Sequence, residues 1–115
     1  MEPLLTHSSD LDIFLLRAKR AQEKWDEWEN KCSRNEISKQ LYQDKRDAWA
    51  ALYRLIHRSS IYGPLRFITL DSETINVGTV GMMTSEQLLY YSLEANAKWT
   101  LSEICLRTVQ SIKLV

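Results

Sequence analysis

The first half of the chain places its apolar side chains at helical spacing. Within residues 10–32 the steps between them alternate between three and four positions, which puts them all on one face of a helix. This stripe consists of Leu11, Phe14, Ala18, Ala21, Trp25, Trp28 and Cys32. Ser9 followed by Asp12 is a capping signature for its start. The pattern predicts a helix at about 10–32.

The same register fails beyond residue 33, because its continuation falls mostly on polar residues. A second helix with a new hydrophobic phase fits better, and Ser33 with Glu36 supplies a capping signature where the break is required. We therefore predict a second helix at about 35–58. A short connection makes the two helices antiparallel neighbours. The second helix would bury Ile37, Leu41, Ala48, Trp49, Leu52, Leu55 and Ile56.

Gly63 and Pro64 end the helical pattern, and β-forming residues follow at 65–70 and 74–80. The polar residues 71–73 separate these two runs, so we predict a β-hairpin at about 65–80.

Two further capping signatures, Thr84 with Gln87 and Thr100 with Glu103, predict two C-terminal helices at about 85–97 and 101–112. The tail 108–115 is ambiguous. A helical face continues through it, but its β-branched residues would suit a third strand, and a lone hairpin is marginal in water. A helix is favoured.

These elements predict a mainly α fold with a small β-hairpin (α+β), built as a single domain over residues 1–115. Apolar residues make up 44% and charged residues 26% of the chain, which is ordinary for a globular protein. There is no apolar run of about 18 residues and no N-terminal signal pattern, so we expect a cytoplasmic protein. Cys32 and Cys105 are expected to be free thiols, although a disulfide between them stays open.

Residues suited to catalysis are sparse. The two histidines are His7, near the N-terminus, and His57, at the end of the second helix. No phosphate-binding glycine loop, nucleophile elbow or zinc-binding motif is present. We therefore expect no enzymatic activity, no catalytic residues, no cofactor and no metal.

Basic residues are concentrated in the middle of the chain, where residues 34–66 carry four more basic than acidic side chains. Arg54, His57 and Arg58 fall on one face of the second helix, and Arg66 follows after the loop. Cations with neighbouring aromatic rings suit a nucleic acid or an acidic partner. Against this, basic residues in the last turn of a helix are also favoured by its dipole.

A second indication of DNA binding comes from residues 97–105, Ala-Lys-Trp-Thr-Leu-Ser-Glu-Ile-Cys. Over about thirty residues the predicted C-terminal helix pair resembles helix-turn-helix regulators. That resemblance implies that Arg107 and Gln110 would read bases. It departs from the family at the turn, which often contains glycine and here has Trp99.

The aromatic content favours protein–protein association. Four Trp, five Tyr and two Phe are more than a core of this size readily hides. The first helix also has a coiled-coil-like stripe with aromatic anchors. The candidate interface residues are Phe14, Trp25, Trp28, Tyr90 and Tyr91. Our leading expectation is a non-enzymatic interaction protein (an adaptor, inhibitor, chaperone or regulatory subunit) that forms a homodimer. The alternative is a DNA-binding transcriptional regulator.

Overall fold

The structure is a computed structural model that describes residues 8–31, 36–93 and 99–115. Two long helices come first, α1 (Ser8–Lys31) and α2 (Glu36–Tyr62), and the rest of the described chain is mostly strand. The strands are β1 (Leu65–Thr69), β2 (Thr74–Val77), β3 (Thr79–Thr84), β4 (Gln87–Leu93), β5 (Trp99–Cys105) and β6 (Val109–Leu114), with a short 3₁₀ turn at Leu106–Thr108 before β6.

The two helices form an antiparallel pair. Trp25 of α1 contacts Tyr42 of α2, and Gln22, earlier in α1, accepts a hydrogen bond from Trp49, later in α2. The two helices therefore run in opposite directions. α2 continues to Tyr62 instead of ending near 58, and it stops where Gly63 adopts φ +155° before Pro64. The predicted break at Ser33 lies outside the described residues, as does Cys32.

The buried face of α1 differs slightly from the predicted stripe. Leu15 and Gln22 are buried beside Leu11 and Ala18, whereas Phe14, Ala21, Trp25 and Trp28 of the stripe are half-buried. On α2 the fully buried side chains of the predicted set are Trp49, Leu52 and Ile56. The helical faces therefore point to the core roughly as the apolar periodicity requires.

The strands form two three-stranded antiparallel sheets, sheet A with the order β2-β1-β6 and sheet B with the order β3-β4-β5. The chain passes from β2 into β3 through Gly78, and from β5 into β6 through the 3₁₀ turn. Each of these passages carries the chain from one sheet to the other at a corner. The core includes residues of both sheets, among them Phe67, Ile112, Leu88 and Ile104.

Each helix covers the edge of one sheet. The Lys19 ammonium of α1 donates to the carbonyl oxygen of Val109, and the Asp12 carboxylate accepts from the backbone N–H of Ile112, 2.9 Å away. Burial lowers the pKa of Lys19, although the nearby Glu23 opposes this change. On α2, the Tyr53 hydroxyl donates to the carbonyl oxygen of Gly81 at 2.7 Å. The edge strands β6 and β3 are thereby protected from pairing with other chains.

The predicted fold class, mainly α with a small β-hairpin, is wrong. Helices at 85–97 and 101–112 are not seen, because β4, β5 and β6 occupy these segments wherever the structure describes them. The supposed capping pair Thr84 and Gln87 flanks a two-residue turn between β3 and β4, in which Ser85 has φ +54°. Thr100 and Glu103 lie within β5.

The C-terminal tail is a strand, so the preference for a helix there was also wrong. β6 pairs with β1 and gives the β1–β2 hairpin the third strand that it needs for stability in water. The predicted hairpin at 65–80 is present as β1 and β2, but its second strand divides at Gly78, and the part beyond belongs to sheet B. Within the described ranges, neither helix is long and apolar enough to cross a membrane.

We predict that Phe67→Ala lowers the free energy of unfolding by about 3–5 kcal/mol, because the ring is fully buried and truncation leaves a cavity. Chemical denaturation followed by circular dichroism measures the loss. Arg66→Ala is the matched control, since the neighbouring Arg66 is exposed on the other face of β1. Equal losses for the two variants would contradict the assigned faces of the strand.

Candidate functional site

The outer face of sheet B, the side away from the core, carries an exposed apolar row. Thr79, Tyr91 and Leu101 are register partners across β3, β4 and β5, so their side chains share one face. Tyr91 is 40% exposed and Leu101 is 53% exposed, although both are large and apolar. The opposite face of the same strands carries the buried residues Val80 and Tyr90.

A β-bulge in β3 enlarges this apolar face. Val80 pairs with Tyr90 and Met83 pairs with Leu88, so two residues, Gly81 and Met82, stand opposite the single residue Leu89. The Cβ direction of Gly81 points to the Leu89 Cβ, which would lie 3.7 Å from an added methyl group. Met82 is 66% exposed. We call Met82, Leu89, Tyr91 and Leu101 the outer patch.

The outer patch reaches the free edge of sheet B. Within the described chain, β5 is the edge strand of sheet B and is paired along its length with β4 on one side only. β5 is seven residues long, and on the outer face it presents Leu101 and Glu103. A long edge strand with few charges is a template for pairing with another chain.

The five predicted interface residues do not form one surface. Phe14, Trp25 and Trp28 are half-buried on α1, and the Trp25 ring meets the Tyr42 ring edge-on with centroids 5.3 Å apart. The indole Nε1 of Trp28 is buried without a hydrogen-bond partner in the described ranges. Tyr90 is 8% exposed and belongs to the core, whereas Tyr91 lies in the outer patch.

Sequence reasoning missed Met82, Leu89 and Leu101. A signal for Leu101 was present in the alternation of apolar and polar residues from Trp99 to Ser102, which suits a strand with one apolar face. The position of Met82 depends on the bulge, which the pattern of apolar and polar residues in the sequence does not predict.

The predicted basic residues fall into three separate groups. Arg54, His57 and Arg58 are exposed on the C-terminal half of α2. Arg66 is exposed on β1, where its register partner on β6 is Lys113. Arg107 lies in the 3₁₀ turn. Among the described residues, no hydrogen bond or ion pair joins one group to another.

Arg107 is held by two carboxylates. Its Nε donates to Glu86 at 3.0 Å and its terminal nitrogen to Asp26 at 2.9 Å. Partial burial alone would lower the pKa of Arg107, but the hydrogen bonds and charges of Glu86 and Asp26 raise it above its ordinary value. Arg107 therefore connects α1, the β3–β4 turn and the corner between β5 and β6.

This ion-pair network continues into the helical hairpin. Asp26 also accepts a hydrogen bond from the Gln22 amide at 2.9 Å, and Gln22 in turn accepts one from the buried indole of Trp49 at 3.0 Å. Cys105, a free thiol, lies 3.9 Å from Glu86 at the other end. The network thus stabilises the fold, and it occupies the guanidinium that the helix-turn-helix resemblance assigned to DNA.

Two further observations bear on function. In the described parts of the chain, no three His, Cys, Asp or Glu side chains lie together as metal ligands would. No protein-family model, curated protein or solved structure matches the chain.

We predict that Arg107→Gln lowers the free energy of unfolding by about 0.5–1 kcal/mol, since these partly exposed ion pairs are screened by water. The loss should shrink as salt is added. Chemical denaturation at low and high salt measures both effects, with Arg58→Gln as the control because Arg58 has no ion pair in the described residues. A loss that is independent of salt, or equal in the control, would argue against the network.

Proposed function

We propose that this protein is a non-enzymatic protein–protein interaction module that associates with a second copy of itself. The observation that carries the proposal is the outer patch, which exposes Met82, Tyr91 and Leu101 on one sheet face. Burial of such side chains on association contributes about 25 cal/mol for each Å² of apolar surface removed from water. An adaptor, inhibitor, chaperone or regulatory subunit would each use a surface of this kind.

Charge supports a second copy as the occupant. The chain has 15 basic and 15 acidic residues, so two copies have no net repulsion to overcome. The outer patch itself is uncharged, and Glu103, opposite Leu89, lies at its side. In a twofold dimer each contact occurs twice, so a patch of modest area contributes twice to the free energy of association.

The outer patch offers the dimer a defined geometry. The outer patch of one copy would pack face to face against the outer patch of the other, as two sheets do in a sandwich. This mode covers Met82, Tyr91 and Leu101 of both copies. Pairing of the two β5 edges would instead leave the outer face of the joined sheet in water, so face-to-face packing is the mode that we propose.

We place the module in the cytoplasm. The free thiol of Cys105 supports this assignment, because reducing compartments keep thiols unpaired. The alternative, a DNA-binding regulator, loses its helix-turn-helix support, since strands occupy the described part of that segment and Arg107 is bound by carboxylates. Its other support, the exposed Arg54, His57 and Arg58 of α2, is unaffected.

We predict that sedimentation will show a concentration-dependent species of twice the 13.5 kDa chain mass. Tyr91→Glu and Leu101→Glu should each weaken association by roughly a hundredfold or more, because a charge would be buried in an apolar contact. Tyr62→Glu is the matched control, as Tyr62 is 60% exposed at the end of α2.

A monomer at every concentration would overturn the proposal. An equal effect of Tyr62→Glu would overturn the choice of surface. Circular dichroism of each variant shows that its fold is intact, which all three substitutions of exposed residues should preserve.

We further predict that Trp25→Ala lowers stability without weakening association. Its ring is half-buried against Tyr42, so truncation should cost about 2 kcal/mol, less than for a fully buried tryptophan. Thermal melting and sedimentation of the same variant separate the two effects. If the variant loses the dimer and keeps its melting temperature, the interface lies on α1 and not on the outer patch.

A further inference from the structure

A cleft of about 400 Å³ lies between α2 and the β3–β4 turn. Its volume falls within the range of about 300–1,000 Å³ that is usual for small-molecule sites. Met83 lines the cleft, whereas its neighbour Met82 belongs to the outer patch. The cleft and the proposed dimer surface are therefore formed by different residues of β3.

The apolar walls of the cleft are mainly aromatic rings. Tyr53 contributes ring carbons, because its hydroxyl is already bonded to the carbonyl oxygen of Gly81, and Trp49, only 2% exposed and bonded through its indole to Gln22, lies at the base of the cleft. Tyr42 and Met83 complete the apolar lining. A planar ring could stack or pack edge-on against such walls.

Two cations, Lys45 and Arg46, line the same cleft. The Lys45 ammonium is held by rings instead of a carboxylate, 4.7 Å from the Tyr42 centroid and 5.6 Å from the Trp25 centroid. Arg46 is exposed and has no ion pair with any described residue.

The nearby carboxylates of α2 are bonded to amides. Asp44 accepts from Gln40 and Asp47 from Gln43, each at 2.8 Å. No acidic residue is among the described residues that line the cleft. The two cations are thus left to attract a negative group from outside the chain.

Hydroxyl groups also line the cleft, from both of its sides. Thr84 and Ser85 line the cleft from the β3–β4 turn, and Tyr42 lines it from α2. None of these three side chains is hydrogen-bonded within the described part of the chain. Ser85 has φ +54°, a conformation in which glycine or asparagine is more usual. The turn therefore has a hydroxyl at a position where a serine backbone is strained.

We propose that this cleft binds a small molecule in which an aromatic ring carries one anionic group, a phosphate or a carboxylate. Lys45 and Arg46 bind the anion, the hydroxyls of the turn donate further hydrogen bonds to it, and the ring packs against Tyr42, Tyr53 and Met83. Cations without a carboxylate partner would bind an anion, and aromatic walls would bind a ring. The ligand class follows because the cleft has both features.

The test is a titration of the full chain followed by NMR, with AMP as the phosphate probe and indole-3-acetate as the carboxylate probe. We expect at least one probe to shift the backbone signals of residues 45–53 and 83–85 at concentrations up to roughly 10 mM, which covers weak fragment binding. Adenosine and inorganic phosphate supply the two halves of AMP separately. Each half should bind at least about tenfold more weakly than the whole.

Arg46→Glu should weaken binding of the preferred probe by about tenfold or more, and Lys45→Gln should also weaken it. Arg54→Glu is the matched control, because Arg54 is exposed two turns further along α2 and outside the cleft. The proposal is overturned if neither probe shifts these signals, if phosphate alone binds as tightly as AMP, or if Arg54→Glu has the same effect as Arg46→Glu.

Discussion

The indole Nε1 of Trp49 is buried between the two helices, and a buried donor must find an acceptor or cost the fold about 1–3 kcal/mol. Gln22 provides that acceptor from α1, where it is itself only 6% exposed. This bond fixes the position of α1 along α2. Gln22 then bonds Asp26, and Asp26 pairs with Arg107, so the same constraint extends from the hairpin to the corner between the sheets.

With the helices fixed in this way, two of the strand edges are covered. Lys19 and Asp12 of α1 satisfy backbone groups of β6, while Tyr53 of α2 satisfies Gly81 of β3. The other edge strand of sheet B is β5, which β4 separates from β3. Among the described residues, neither helix makes with β5 a hydrogen bond of the kind that it makes with β6 or β3, so this edge and the outer patch beside it are the surfaces open to the association that we propose.

The helices were predictable because each has a single apolar face and because Gly63 and Pro64 end the second one. The β1–β2 hairpin was also predictable from its β-forming runs. The strands after residue 84 were not. In β4, Leu88 and Tyr90 face the core while Leu89 and Tyr91 lie on the outer face, so apolar residues occupy both faces and the alternation of a strand is hidden. The turn before β4 has Ser85 at positive φ, where glycine would have given a signal.

Two residues of the outer patch, Leu89 and Tyr91, are the residues that obscured the strand pattern of β4. Tyr91 and Leu101 lie outward, whereas Ser102, the register partner of the buried Tyr90, occupies the inner face, which reverses the usual placement of apolar and polar side chains. A monomer gains nothing from this reversal, because Leu101 stays in contact with water and Ser102 takes a place that an apolar side chain could fill. A local pattern that conflicts with the fold is expected where function imposes it. The interface that we propose on sheet B would account for the conflict, since burial against a second copy would make outward apolar residues favourable.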